Sequence, residues 1–115
     1  MKLSEKRILF SKLISQLVLW ASEQVYDLAL DQVKRTEAEA KANAAKGTGI
    51  FNSLHLSGLA ADLNLYINGV YQQTTEAHKV IGEKWKTMHP LARWGGDFKP
   101  RPDGNHYSLE HNGVK

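Results

Sequence analysis

Between Ser57-Gly58 and Asn68-Gly69 the chain alternates: Ala61, Leu63, Leu65 and Ile67 are apolar, with Asp62, Asn64 and Tyr66 set between them. Successive side chains of a strand point to opposite faces, so this period of two predicts a strand with one face buried and one open. Asn68-Gly69 is the pair a type I′ turn selects, because both central residues take positive φ, and residues 70–72 are expected to return as the partner strand. A hairpin with one apolar face needs something laid against it. Phe10, Leu13, Ile14, Leu17 and Ala21 supply that cover at helical spacing, in a helix that Ser4 is expected to cap and that runs to about Glu23.

The rest of the chain extends this pattern. Residues 26–33 suit a short strand, and Thr36, with Glu39 at the capping-box position, starts an Ala- and Glu-rich helix ending near Lys46. Residues 47–57 are rich in Gly, Ser, Thr and Asn and are expected to form a loop, which contains His55. Thr74 or Thr75 caps a further helix bearing Val80, Ile81, Trp85 and Met88, stopped by Pro90. A short strand over 91–94, a turn at Gly95-Gly96, a loop to Asn105 and a last strand over 106–110 complete the order. The expected class is α+β, with helices packed on a small antiparallel sheet. At 115 residues and 42% hydrophobic content, the whole chain, residues 1–115, is expected to form one domain.

Composition removes several functions. The net charge is +3, but Lys and Arg are spread without a basic run or interleaved aromatics, so the electrostatic footprint of a nucleic-acid binder is missing. A mildly basic surface suits an acidic substrate such as bacterial cell wall. With no cysteine there is neither disulfide nor thiolate, and any metal must be held by nitrogen and oxygen. Residues 1–19 carry Lys2, Glu5, Lys6, Arg7 and Lys12 and no small-residue cleavage site, so no signal peptide is expected, and their apolar runs are too short for a membrane span.

One spacing bears on metal binding. Two ligands of one zinc ion, each at about 2.0–2.2 Å from it, need their donor atoms within roughly 3–3.5 Å of each other. His55 and Asp62 are seven residues apart. On a helix that is about 10 Å of rise, and on a strand the odd separation puts the two on opposite faces. The pair can meet only if the chain bends, and Ser57-Gly58 supplies a bend. Asp62 falls on the polar face of its strand, free to point into a site. Asp103-Gly104-Asn105-His106 then offers a carboxylate and an imidazole across a tight turn, with His106 as third ligand and Asp103 outside the coordination sphere as proton acceptor for a water acidified by zinc from a pKa of about 15.7 to about 7. A lone loop histidine is more often solvent-exposed than a ligand, so spacing alone leaves both readings open.

The segment Ser53-Leu54-His55-Leu56-Ser57-Gly58-Leu59-Ala60-Ala61-Asp62 has the form S-x-H-x-x-G-x-A-x-D, and Trp94-Gly95-Gly96-Asp97-Phe98 precedes Asp103-x-x-His106. In motif, order and distance this resembles the zinc D,D-peptidase family, which includes VanX- and VanY-type D-alanyl-D-alanine peptidases and phage L-alanyl-D-glutamate endolysins. The resemblance covers roughly residues 35–111. It implies a hedgehog/D,D-peptidase-like fold carrying zinc on His55, Asp62 and His106, with Asp103 as general base and acid. Arg35-Thr36 stands where the family has an Arg facing the substrate, so Arg35 is implied to stabilise developing charge or a substrate carboxylate. Ser53, Trp94 and Tyr107 are the further candidates for substrate contact, although Trp94 and Tyr107 also suit the core.

Two positions depart from the family. Glu39 stands where Gln is common, and Ser108 stands two residues after His106, where many members carry an acid. The resemblance implies a zinc peptidase acting on the peptidoglycan stem peptide, as a monomer without a membrane span, with the L-alanyl-D-glutamate bond favoured over D-alanyl-D-alanine. It implies a phage lysis or virion-associated enzyme, made in the cytoplasm and acting on the cell wall. The competing class is a non-catalytic zinc-containing binding module, against which Asp103 and Arg35 speak. A purely structural zinc site would need a fourth protein ligand, for which Glu110 is the nearby candidate. His78, His89 and His111 are read as non-ligands, and Trp20 and Trp85 as core.

Overall fold

The computed structural model describes residues 1–32 and 54–115. Helix α1 spans Leu3–Glu23 and leads through Val25, at φ 67°, into strand β1, Tyr26–Gln32. A single helical turn, α2 (Leu54–Ser57), precedes β2 (Ala60–Ile67) and β3 (Val70–Gln72). A 3₁₀ turn over Glu76–His78 enters α3, Lys79–Met88, and β4 (Ala92–Trp94), a second 3₁₀ turn (Gly95–Asp97) and β5 (His106–Leu109) follow. Every strand pairing is antiparallel, in the order β1-β2-β5-β4, with β3 beside the far half of β2. The expected α+β arrangement of helices on a small antiparallel sheet is what the chain adopts.

The hairpin forms where alternation and turn chemistry put it. Asn68 and Gly69 take φ of 51° and 77°, the two positive values of a type I′ turn. Ala61, Leu63 and Leu65 are fully buried while Asp62, Asn64 and Tyr66 are not. Onto that buried face α1 lays Phe10, Leu13, Ile14, Leu17 and Ala21, and α3 adds Ile81 and Trp85. Burying each large aliphatic side chain contributes about 1.5–3 kcal/mol. Trp85 meets Phe10 and Tyr107 edge-on, at 5.9 and 6.3 Å between ring centroids, and its indole N–H donates to the carbonyls of Arg93 (2.9 Å) and Ser108 (3.1 Å), tying the helix to β4 and β5.

Several local expectations are corrected. α1 is capped from Lys2, one turn boundary earlier than Ser4, because the Glu5 carboxylate accepts the Lys2 backbone N–H at 2.9 Å. His55 lies on the α2 turn and not in a loop. Thr74 does cap, its hydroxyl accepting from the Ala77 N–H at 3.1 Å, but the element it caps is the 3₁₀ turn before α3. β5 ends at Leu109, one residue short of the expected boundary. The helix expected from Thr36 to Lys46, with Glu39, lies outside the described residues. Among the described residues no helix is long and apolar enough to cross a membrane.

Trp94 and Tyr107, candidates both for substrate contact and for the core, are core residues. They face each other across β4 and β5, on the side where the helices pack, and are 4% and 0% exposed. The Trp94 ring fills the space a Cβ would take at both Gly82, in α3, and Gly96. Tyr107 meets His78, itself 2% exposed, with 2.8 Å between the phenol oxygen and Nδ1. Burial holds the His78 pKa below its ordinary 6.5 and pushes the Tyr107 phenol well up, so the pair is neutral at pH 7.

Gly82→Ala is expected to destabilise by about 1–3 kcal/mol through overlap with the Trp94 ring, an effect that exceeds the helix-propensity gain of about 1 kcal/mol; urea denaturation measures the net sign. The His78 shift has a sign as well. The unfolded chain takes up this proton as pH falls through 6.5 and the folded one only lower, so stability is full above 6.5 and declines below it. Urea midpoints at pH 7.5 and 5 should fall less for His78→Gln, which keeps a hydrogen-bond partner for Tyr107 without titrating.

Candidate metal centre

Two local devices bring His55 to Asp62. After α2 the Leu59 N–H donates to the Leu54 carbonyl (2.9 Å) and the Gly58 N–H to the His55 carbonyl (3.2 Å), with Gly58 at φ 74°. This is a Schellman closure, with glycine at its left-handed position and the accompanying apolar pair, Leu54 and Leu59, buried. From α1 the Arg7 Nε–H donates to the Ser57 carbonyl at 2.7 Å and pins the turn to the long helix. The bend expected at Ser57-Gly58 is therefore real, and β2 starts immediately after it.

The third member arrives by strand pairing. Asp62 and His106 are direct partners in the β2–β5 ladder, so their side chains leave the same face. The turn before His106 is held at each step. Its ends are joined by the His106 N–H to the Asp103 carbonyl (3.1 Å), and the Asp103 N–H donates to the Gly95 carbonyl (2.8 Å). The Leu63 N–H donates to the Asn105 carbonyl (2.8 Å), and the Trp94 indole N–H to the Gly104 carbonyl (2.7 Å). A Cβ at Gly104 would come within 2.6 Å of Thr75 Cα, and one at Gly95 within 2.7 Å of His106 Cβ, so both positions require glycine.

In the resulting cluster His55 Nε2 is 3.2 Å and His106 Nδ1 3.8 Å from the same oxygen, Asp62 Oδ1. The imidazole rings stand edge-to-face, 5.2 Å between centroids at 76°, and Phe98 covers His106 at 5.3 Å. One donor atom from each of the three residues lies within 4.8 Å of the others. These separations are close to the roughly 3–3.5 Å between donor atoms that share one tetrahedral ion. Buried His106 Nε2 makes no hydrogen bond among the described residues, while buried Asp62 Oδ1 is met by the ion-pair contacts with the two histidines. Buried polar atoms are seldom left without a partner, and a cation bound here would engage the imidazole nitrogen as well as the carboxylate. Two imidazoles and a carboxylate make the donor set of an open catalytic metal site, in which the fourth position is left to water or substrate.

The charges agree with this reading. Burial would raise the Asp62 pKa, but the adjacent His106 and His55 outweigh it and hold the carboxyl well below the usual range, so Asp62 is anionic. Asp103 behaves oppositely. It keeps part of its surface open to solvent, yet the packing around the rest pushes its carboxyl up, a shift that His106 and His55 oppose and the charge of Asp62 reinforces. Two carboxyls at one site thus have separated proton affinities, the usual basis for dividing ligand from acid–base work.

Of the residues singled out in the sequence, His55, Asp62 and His106 come together, Asp103 stands on the turn that leads into His106 and within electrostatic range of all three, Trp94 and Tyr107 turn into the core, and Arg35 and Ser53 lie outside the described residues. Glu110 is engaged by Arg93 at 3.3 Å and is not a member of the cluster. Ser108 is fully buried, its hydroxyl without a hydrogen bond among the described residues. His89 accepts the Leu91 N–H and His111 lies 3.0 Å from Lys6 Nζ, both away from the cluster as expected. Asp97 pairs with Lys86 at 2.8 Å, which hangs over the Trp94 ring.

The sequence model of the family described as D-alanyl-D-alanine carboxypeptidase matches residues 46–109, more than half the chain and inclusive of all four site residues. The chain belongs to this family. It is accordingly a peptidase, and the cluster lies inside the matched region. A search of curated proteins returns no match. The fold resembles that of a solved structure, the Serratia marcescens L-Ala D-Glu endopeptidase ChiX, with a TM-score of 0.73 over 87% of this chain and 79% of that one, at 21% identity.

Titration of the purified protein with Zn²⁺ is expected to saturate at one equivalent and to raise the melting temperature, with reversal by chelator. His55→Ala and His106→Ala should each weaken binding by more than the ~10–100-fold typical of losing a neighbour that merely orients a ligand. Calorimetry reads both numbers, and undiminished affinity in either variant removes that residue from the site.

Proposed function

We propose that this peptidase is zinc-dependent and hydrolyses peptidoglycan at the L-alanyl-D-glutamate bond of the stem peptide, in the manner of phage endolysins, acting at the cell wall. The observation that carries the reading is the His55–Asp62–His106 cluster, with a further carboxyl, the solvent-exposed Asp103, on the turn that leads into His106. His55, Asp62 and His106 would hold the ion. When bound, zinc acidifies a water and polarises the scissile carbonyl. Asp103 takes the proton of the attacking water and delivers it to the leaving amine. Arg35 is assigned the developing negative charge on the strength of the sequence resemblance.

The similarity to an L-Ala D-Glu endopeptidase supports the choice of bond, while the description of the matching family favours the alternative, D-alanyl-D-alanine cleavage. A non-catalytic zinc module has no use for a further carboxyl on the adjoining turn, and a closed structural site finds no fourth ligand among the described residues, where Glu110 is held by Arg93.

Purified peptidoglycan incubated with the zinc-loaded protein should release fragments whose masses identify the bond, and none after chelation. Asp103→Asn is expected to cut the rate by about 10²–10⁴ while retaining one equivalent of zinc. Absence of any zinc-dependent fragment from walls of several types would sink the proposal.

A further inference from the structure

The open face of the sheet carries a second cluster that the reaction does not use. Tyr66 of β2 stands directly opposite Tyr71 of β3, with ring centroids 5.4 Å apart and planes inclined at 46°. Tyr71 is 46% exposed. Asp62, Asn64 and Tyr66 follow the strand period, so the tyrosine pair shares the face of Asp62, opposite buried Leu63 and Leu65. Four residues of strand separate Asp62 from Tyr66 by about 13 Å. Asn64, half-buried, lies between them on the same face. A cross-strand aromatic pair steadies a hairpin by roughly 0.2–1 kcal/mol, but hairpin stability does not require two half-open phenols in line with the acid–imidazole cluster.

We infer that Tyr66 and Tyr71 form a subsite for an N-acetylhexosamine ring of the glycan strand that bears the stem peptide, an inference that rests on the peptidase reading above. Aromatic faces are electron-rich and attract the weakly positive C–H face of a pyranose, and the phenol hydroxyls can exchange hydrogen bonds with ring substituents. The reach fits. A lactyl ether and one alanine, about two residue lengths or ~7 Å, separate the sugar from the L-alanyl-D-glutamate bond. Half the width of the ring, ~3 Å, puts its centre about 10 Å from the bond, within one residue length of the about 13 Å that separates Asp62 from Tyr66. The D-alanyl-D-alanine bond lies three residues further along, so an extended stem reacting there would carry the sugar out to about 20 Å, past the pair. The subsite therefore also selects between the two bonds.

Two measurements test this. Tetra-N-acetylchitotetraose, which has sugar and no peptide, should shift the amide resonances of Tyr66, Tyr71 and Asn64 in the ¹H–¹⁵N spectrum, and Tyr71→Val should abolish those shifts; valine preserves strand propensity. In kinetics, the ratio of kcat/KM for a disaccharide-linked peptide to that for the same peptide without sugar should fall about tenfold in Tyr71→Val, chiefly through KM. Tyr66→Val provides a second variant with the same expected outcome, and urea midpoints establish that each variant is folded. Shifts elsewhere only, or an unaltered substrate ratio in folded variants, would overturn the inference. If the wild-type protein cleaves neither peptide, the peptidase proposal fails on its own, and the chitotetraose spectra still decide whether the tyrosines bind glycan.

Discussion

The Schellman closure at Gly58 is the constraint on which the site depends. Without a left-handed residue there, α2 would continue as helix or run straight into β2, and either course separates His55 from Asp62 by far more than the observed 3.2 Å. The closure alone would leave a four-residue helix with little intrinsic stability. Its support comes from elsewhere, through the buried Leu54 and Leu59 below and the Arg7 guanidinium on the Ser57 carbonyl. The long amphipathic α1 thus serves both the core and the cluster: one side buries Phe10, Leu13, Ile14 and Leu17, and Arg7 holds the turn that carries a candidate ligand.

The other half of the cluster depends on longer-range matching. His106 reaches Asp62 through antiparallel register, and the register is held by hydrogen bonds to the Asp103–His106 turn from Gly95, Leu63 and Trp94. Trp94 lies in a slot that only Gly82 and Gly96 leave open, and Lys86 lies over its ring while pairing with Asp97. Trp94, a candidate for substrate contact or core by sequence, is the strut between α3 and the turn bearing Asp103.

Much of this was visible in the chain itself, and the failures have physical causes. Asn68-Gly69 and the alternation ahead of it located the hairpin because turn geometry and pleat are local properties. The cluster of His55, Asp62 and His106 could be named through the resemblance in motif; spacing by itself showed only that the first two can meet if the chain bends at Ser57-Gly58. Tyr107, for which cleft and core both stood open, could have been decided from the sequence, because the same period of two that turns His106 to the open face turns its neighbour into the core. Trp94 could not be placed from sequence, since its direction follows from pairing with Tyr107 and from space at two distant glycines. His78, expected within a helix, became the buried partner of that tyrosine, a contact between residues 29 apart that no local pattern encodes.

The three members of the cluster are not held with equal firmness. Asp62 and His106 sit on interior strands, each hydrogen-bonded to neighbours on both sides, whereas the backbone of His55 belongs to one helical turn fastened by a few bonds. Opening that turn requires no strand to separate, so it belongs to the small fluctuations a folded protein makes far more often than it unfolds. Among the described residues the cluster thus joins two kinds of support, a pair of ligand candidates fixed by strand register and a third fixed by a local turn, so a substitution that loosens Gly58 or Arg7 is felt at His55 before it is felt at Asp62 or His106.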